Sequence, residues 1–386
     1  MPTIVRDNER SYAIDLISQI NDLSQRYTLQ IKKAGGERTI STSRNGRMFP
    51  DVVLYGDAER TRIIQGWELK LPDTLITDEN FIKDAQRKAI SLGLNSCFIW
   101  NFTAGALYIK DECDNFQIVK QWNDTNHIRS RADVELYRND WEHTLENIII
   151  DLNQFFLNGD IYGSSLGEVV SDSIVVTIIE RNKSLVASEL RNNANTNTIM
   201  GANIDVWWDE VRTEFSADEA DKYRAYAKIL LLNWTNRIVF AHLIKRHHNA
   251  GTYVNDISFE TTPQDANAIF DSISASCDFY NVFSALDYNT CIPKETWEDL
   301  IELNQFLIDN GISEIEQTSL QTILENSVST SKRELAGQFT TPTKLAEILA
   351  RITIIDWSKP CIDPCCGTGS ISQAILNNKK AAFDIE

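Results

Sequence analysis

Three residues in the first third of the chain have the types and spacing for phosphodiester chemistry. Pro50-Asp51 opens one apolar run, and Glu68-Leu69-Lys70 closes the next, seventeen residues further on. If the two runs are strands of one antiparallel pair, turning near Gly56-Asp57, Asp51 faces Glu68 across it. Directly opposed residues have Cβ atoms roughly 4.5–5.5 Å apart, close enough for both carboxylates to hold one hard cation. Side chains alternate along a strand, so Lys70 shares a face with Glu68 while Leu69 points the other way. Oxygen ligands suit Mg²⁺, which usually keeps several waters. A bound metal lowers the pKa of water and neutralises charge building on a phosphate. Lys70 would hold the attacking water or stabilise the pentavalent transition state. A solvated strand edge carrying an ion pair would use the same residue types, so the triplet alone does not decide.

A second constellation lies near the other end. Asp363-Pro364-Cys365-Cys366-Gly367-Thr368-Gly369-Ser370 follows a short apolar stretch, Pro360–Ile362, expected to be a strand, and precedes a helical pattern. Glycines allow a tight turn and close backbone approach, and the loop delivers a ligand to a helix N-terminus. Upstream stands Gly337-Gln338-Phe339-Thr340-Thr341-Pro342, again just before a helix. Cys361, Cys365 and Cys366 are clustered, but without the paired spacing of a zinc site.

The elements that must position these residues divide the chain in three. Residues 1–123 mix helix and strand signals. Tyr12, Leu16, Ile20 and Leu23 fall at helical spacing after an Asp7 or Asn8 cap. "PDVVLYGDAERTRIIQGWELK" predicts two strands, "DENFIKDAQRKAISLG" an amphipathic helix closed by Gly93, and "SCFIWNFTAGALYIKD" two further strands. Residues 124–330 are helical in period, with "RNNANTNTIMGAN" predicted as a surface loop. Residues 331–386 resume an α/β pattern. His242, His247 and His248 on or near the long helical stretch read as packing or surface histidines.

Composition sets bounds. The 386 residues suffice for two or three domains, with 42% hydrophobic and 24% charged residues. A net charge of −18 argues against a bare DNA-binding module, which carries a basic surface, but not against an enzyme whose DNA contacts come from a local groove or from another domain. The most apolar run, Ile229–Ile244, is interrupted by Asn233, Thr235, Asn236 and Arg237, so no membrane span is expected. The opening residues lack the apolar core of a signal peptide, and the seven cysteines read as reduced thiols in a cytoplasmic protein.

Pro50-Asp51…Glu68-Leu69-Lys70 resembles the PD-(D/E)xK nuclease family, over roughly residues 5–120. That resemblance implies an α/β nuclease domain, Mg²⁺ held by Asp51 and Glu68, and a catalytic Lys70. It also implies a glutamate of the first helix near the metal, matched by Glu9, and a glutamine of the helix after the Glu-x-Lys strand, matched by Gln86. Gln86 shares a helix face with Ile82 and Ile90, which suggests an inward direction. Glu9 reads equally as a first-turn acid favoured by the helix dipole. Arg38, Arg44 and Arg47 could contact DNA phosphates or belong to a solvated loop.

The second constellation resembles motif I of adenine-specific DNA methyltransferases, and Phe339–Pro342 resembles their other cofactor element. The resemblance implies S-adenosylmethionine held by Phe339, Thr340, Thr341, Pro342, Asp363, Pro364, Cys366, Gly367 and Gly369, with Asp384 on the ribose. No Asn/Asp-Pro-Pro-aromatic tetrapeptide follows Gly369. The chain is therefore expected to end inside a Rossmann-like methyltransferase domain, incomplete over 331–386, after an all-α connector over 124–330. This order resembles the type IIG restriction–modification enzymes: site-specific deoxyribonucleases acting on double-stranded DNA, with methylation only in the complete protein. A nuclease-bearing subunit completed by a second chain, or a non-catalytic acidic fragment docking on a DNA-modifying partner, remain as alternatives.

Overall fold

The structure is a computed structural model that describes residues 9–36, 48–215, 219–310, 312, 341–366 and 369–383. A seven-stranded mixed sheet comes first. Its strands are β1 (Lys33–Gly36), β2 (Val52–Tyr55), β3 (Arg62–Leu69), β4 (Ser96–Trp100), β5 (Gly105–Lys110) and β6 (Phe116–Trp122), ordered as in the sequence, with β7 (Ser164–Ser165) on β3. Every pairing is antiparallel except β3–β4. That parallel step follows from what lies between: helix α2 (Glu79–Ser91) crosses over and returns the chain to the same end of the sheet. Asp78 starts α2 by accepting from the backbone N–H groups of Asn80 and Phe81.

Each face of the sheet has its own core. On one side α1 (Glu9–Arg26) and α4 (Arg138–Asn158) cover Val52, Leu54, Trp67, Leu69, Phe98 and Trp100. The expected inward stripe of α1, Tyr12, Leu16, Ile20 and Leu23, is buried there. On the other side α2 packs on Val53, Cys97 and Ile99. That core runs on without a break into α6 (Val175–Thr196), α8 (Lys222–Ile244), α9 (Pro263–Cys277) and α11 (Lys294–Asp309). The helices α3 (Arg131–Leu136), α5 (Leu166–Glu168), α7 (Thr198–Phe215) and α10 (Tyr280–Phe283) complete this part.

The packing therefore does not separate at 123/124. Helix α4 lies with α1 over the sheet, β7 adds to β3, and α11 reaches back to the start of β2. Phe306 of α11 stacks on Phe49 with centroids 4.2 Å apart, and Glu302 accepts from the Met48 backbone N–H at 3.1 Å. A helical period shows that a helix has a buried face, not which sheet it covers.

Two local expectations are corrected. The asparagine-rich stretch is no loop: α6 runs to Thr196 and α7 starts at Thr198, with Asn197 alone between them. Asn197 accepts from the Met200 backbone N–H at 3.1 Å, and buried Ala194 and Met200 tie both helix ends into the core. Packing overrides the weak helix aversion of asparagine. Near the C-terminus, helices α12 (Thr343–Thr353) and α13 (Ser370–Ala382) pack through Ala346, Ala350 and Ala374. The expected strand Pro360–Ile362 is absent from its place between them; Ile362 is 89% exposed. A strand needs a neighbour to satisfy its ladder, and no paired strand occurs here among the described residues.

Candidate active site

The register of β2 on β3 decides the first site. Val52 pairs with Trp67, Val53 with Gly66 and Leu54 with Gln65. Continued by one residue, the same register sets Asp51 opposite Glu68. Two glycines let the chain close around this point. A Cβ at Gly66 would stand 2.5 Å from the Pro50 ring, and one at Gly36 would stand 2.3 Å from the Asp51 carbonyl oxygen. Asp51 is further fixed by its own carboxylate, whose Oδ2 accepts from the Leu69 backbone N–H at 2.9 Å. Its orientation is thus tied to the strand that carries Glu68.

Glu68 is 3% exposed and lies on the face covered by α2. Both its oxygens accept from the Lys88 ammonium, each at 2.7 Å. Lys88 also reaches Asp84, one helical turn earlier on α2, at 3.1 Å. Burial, and next the charge of Asp51, push the Glu68 carboxyl well above the ordinary carboxylate range; Lys88 draws it back in part. For Lys88 burial opposes the charge, but Glu68, Asp51 and Asp84 together hold its proton more tightly than usual. Partial burial raises the Asp84 carboxyl, yet Lys88 and Arg87 more than offset it and hold it low.

Lys70 follows β3 directly, half-buried, its backbone N–H donating to the Trp100 carbonyl at 3.0 Å. By strand alternation it lies on the side of Glu68. Gln86 corrects the sequence reading. It is half-buried at the flank of α2, and Ile90 on the same stripe is 55% exposed. The buried stripe is Phe81, Ala85, Lys88 and Ala89. Lys88 and Asp84 are the site residues the sequence reading missed. The available signal was a lysine exactly in phase with an apolar helix stripe, with an acid four residues before it.

Glu9 begins α1, but its side chain lies outside the described residues, as do Arg38, Arg44 and Arg47. Among the described residues no group of three or more His, Cys, Asp or Glu side chains could hold a metal. The donor set that is in place, Asp51 and Glu68, offers hard oxygens. That chemistry fits a hard cation.

Of the second constellation, Phe339, Thr340, Gly367 and Asp384 lie outside the described residues. Thr341 and Pro342 lead into α12, which starts on Pro342. Gly369 begins α13 with φ +86°, a left-handed conformation that glycine adopts freely. Between them Asp363 accepts from the Cys365 backbone N–H at 3.1 Å through Oδ1, while its Oδ2 is shielded from water and has no hydrogen-bond partner among the described residues. Pro364 and Cys366 are exposed. A shielded, unpaired carboxylate oxygen beside a helix start suits a ligand that donates a hydrogen bond. Among the described residues Cys361, Cys365 and Cys366 form no disulfide.

The remaining histidine of interest is structural. His242 is 1% exposed, donates through Nε2 to Asn304 at 2.7 Å and accepts from the Lys245 ammonium at 2.6 Å. Asn304 donates in turn to the carbonyls of Val254 and Ile257. This buried knot joins α8, α11 and the 3₁₀ turn Asn249–Asp256 between α8 and α9. No helix among the described residues is long and apolar enough to cross a membrane.

No family model matches the chain, and no curated protein matches it in sequence. Among solved structures the chain is similar to a type IIG restriction endonuclease. That protein is BpuSI, aligned over 96% of this chain and 37% of its own, at 11% identity and a TM-score of 0.29. A DrdV–DNA complex aligns over 96% of this chain and 35% of its own, at 12% identity and a TM-score of 0.22. The chain spans about a third of the length of either. Similarities this slight leave the functional reading to the residues themselves.

Proposed function

We propose that this chain carries a metal-dependent DNA endonuclease centre of the PD-(D/E)xK kind. In this reading it is the N-terminal part of a type IIG-like restriction–modification enzyme. The observation that carries the reading is the register that brings Asp51 opposite Glu68 at one end of the β2–β3 pair, with Lys70 on the same face. Asp51 and Glu68 would hold Mg²⁺, which supplies charge neutralisation at the scissile phosphate and a more acidic water. The chain's own residues set the geometry. Asp51 is held by the Leu69 amide, Glu68 is oriented by Lys88, and Lys70 would bring a positive charge to a phosphate that gains negative charge.

The second site would bind S-adenosylmethionine in the same proposal. Asp363 offers its unpaired oxygen, and the glycine-bearing turn into α13 allows close approach. The cofactor would supply an activated methyl group.

The test is plasmid cleavage with Mg²⁺ by the full protein and by Asp51→Ala and Lys70→Ala. Each change should lower the cleavage rate by on the order of 10²–10³, the effect of removing one preorganised electrostatic group. Tritium transfer from labelled S-adenosylmethionine to DNA should not change. Cleavage at the unmodified rate by either variant would remove the assignment.

A further inference from the structure

Lys88 is an unusual residue to find where it is. Lysine normally runs its carbon stem along apolar surface and leaves its ammonium in water. Here the stem lies in the stripe of Phe81, Ala85 and Ala89, and the residue is 2% exposed. The ammonium has three N–H donors. Three carboxylate oxygens meet it: Oε1 and Oε2 of Glu68 at 2.7 Å and Oδ2 of Asp84 at 3.1 Å. It is ligated by oxygens much as a hard metal ion would be, and on the very carboxylate read above as a metal ligand.

A carboxylate can meet two cations, but on one buried group they repel each other. A divalent ion approaching Glu68 meets an ammonium already bonded to both oxygens and is opposed by its charge. The two contacts of Lys88 are unequal in kind. Glu68 is fixed on a central strand and buried. Asp84 lies on α2 itself, four residues before Lys88, and is also paired with Arg87. The flexible four-carbon stem can pivot toward Asp84 without leaving the helix face. Asp84 is then the place that receives the ammonium when Glu68 is given up.

We propose that Lys88 is a positioning residue that acts as the resident counter-cation of Glu68, and that metal binding requires its ammonium to shift from Glu68 to Asp84. The proposal rests on the reading of Asp51 and Glu68 as a metal centre. Lys88 keeps a buried carboxylate oriented when no metal is present, and it raises the metal concentration at which the centre fills. Asp84 lowers that concentration by giving the ammonium somewhere to go.

The two residues therefore predict opposite effects, which a purely structural ion pair does not. Mn²⁺ binding to the full chain would be followed by electron paramagnetic resonance of the free ion, which needs neither DNA nor turnover. Lys88→Met keeps the stem and removes the competing charge; Mn²⁺ should bind about tenfold more tightly. Asp84→Asn removes the receiving charge; Mn²⁺ should bind several-fold more weakly. Asp51→Asn should abolish the same binding and identifies the site. Melting in EDTA guards against misfolding: Lys88→Met should melt below the unmodified protein and regain more stability on adding Mn²⁺.

Asp51-dependent binding that neither Lys88→Met nor Asp84→Asn alters by more than twofold would overturn the proposal and leave the metal centre standing. Absence of any Asp51-dependent Mn²⁺ binding would overturn both. Should Lys88→Met fail to fold without metal, the weakening or its absence in Asp84→Asn decides, because that half-exposed side chain is not needed to close the core.

Discussion

The sheet end that carries Asp51 and the loop that carries Asp363 are both read as ligand sites, yet they are built differently. Around Asp51 and Glu68 two cores meet the sheet from opposite faces, with Trp67 and Trp100 fully buried on one side and Ile99 and Cys97 on the other. Around Asp363 the buried hydrophobics among the described residues are three alanines, with Trp357, Ile371 and Ile375 only partly buried against them, and the neighbouring Ile355 and Ile362 are 97% and 89% exposed. The first site is thus preorganised by its surroundings. The second has its helix starts in place, with no strand beside them among the described residues. Identical care in the local sequence does not produce equal rigidity, since rigidity comes from what a segment packs against.

Three measurements can break or sharpen that contrast. The largest effect is expected at the junction of α11 with the start of β2. Phe306→Ala deletes the ring stacked on Phe49, two residues before Asp51, and should cost about 3–5 kcal/mol of stability in a urea melt. A loss below about 1 kcal/mol would mean that α11 does not brace this site.

The buried knot at His242 gives the next effect. Burial, and then the adjacent Lys245, depress the His242 imidazole to about 3, while an unfolded histidine titrates at its ordinary 6.5. Below pH 6.5 the unfolded chain takes up a proton that the folded chain refuses, so this group's contribution is full above pH 6.5 and falls as pH drops toward 3. The slope is at most about 1.4 kcal/mol per pH unit. His242→Gln should flatten the pH dependence of stability between pH 6 and 4 by nearly one proton, with cleavage rates within a few-fold. Parallel pH profiles for the two proteins would show that the histidine is solvated instead.

The smallest effect is expected in the C-terminal segment. Ile355→Ser should leave global stability within about 0.5 kcal/mol, as exposed positions usually do. Hydrogen exchange should agree: backbone amides of α12 and α13 should exchange faster than those of β3 and β4, whose helices and strands open only with the core. Equal protection in both regions would erase the contrast.

Much of the first site was legible in the residues. Asp51, Glu68 and Lys70 could be placed because a strand repeats every two residues and a tight antiparallel pair has one centre, so the spacing fixes which side chains oppose. The stripe of α1 was legible for the same reason at a period of 3.6. Gln86 was misplaced because Ile82 and Ile90 looked like a buried stripe, whereas the sheet selected the neighbouring one with Ala85, Lys88 and Ala89. Amphipathic periodicity gives a direction only to within a residue or so on either side, and a lysine's charge does not mark it as buried.

What the sequence determined by itself was local: strand and helix periods, the opposition of two carboxylates, a glycine loop entering a helix. What only the tertiary structure decided was long-range partnership. It set Lys88 under Glu68, Phe306 on Phe49, and α4 over a sheet assigned to an earlier segment. The failure of Pro360–Ile362 to form a strand belongs with these, because a strand is satisfied only by its neighbours. Periodicity is written into consecutive residues, but the choice of partner depends on which surfaces exclude the most water together, and that is settled only when the whole chain packs.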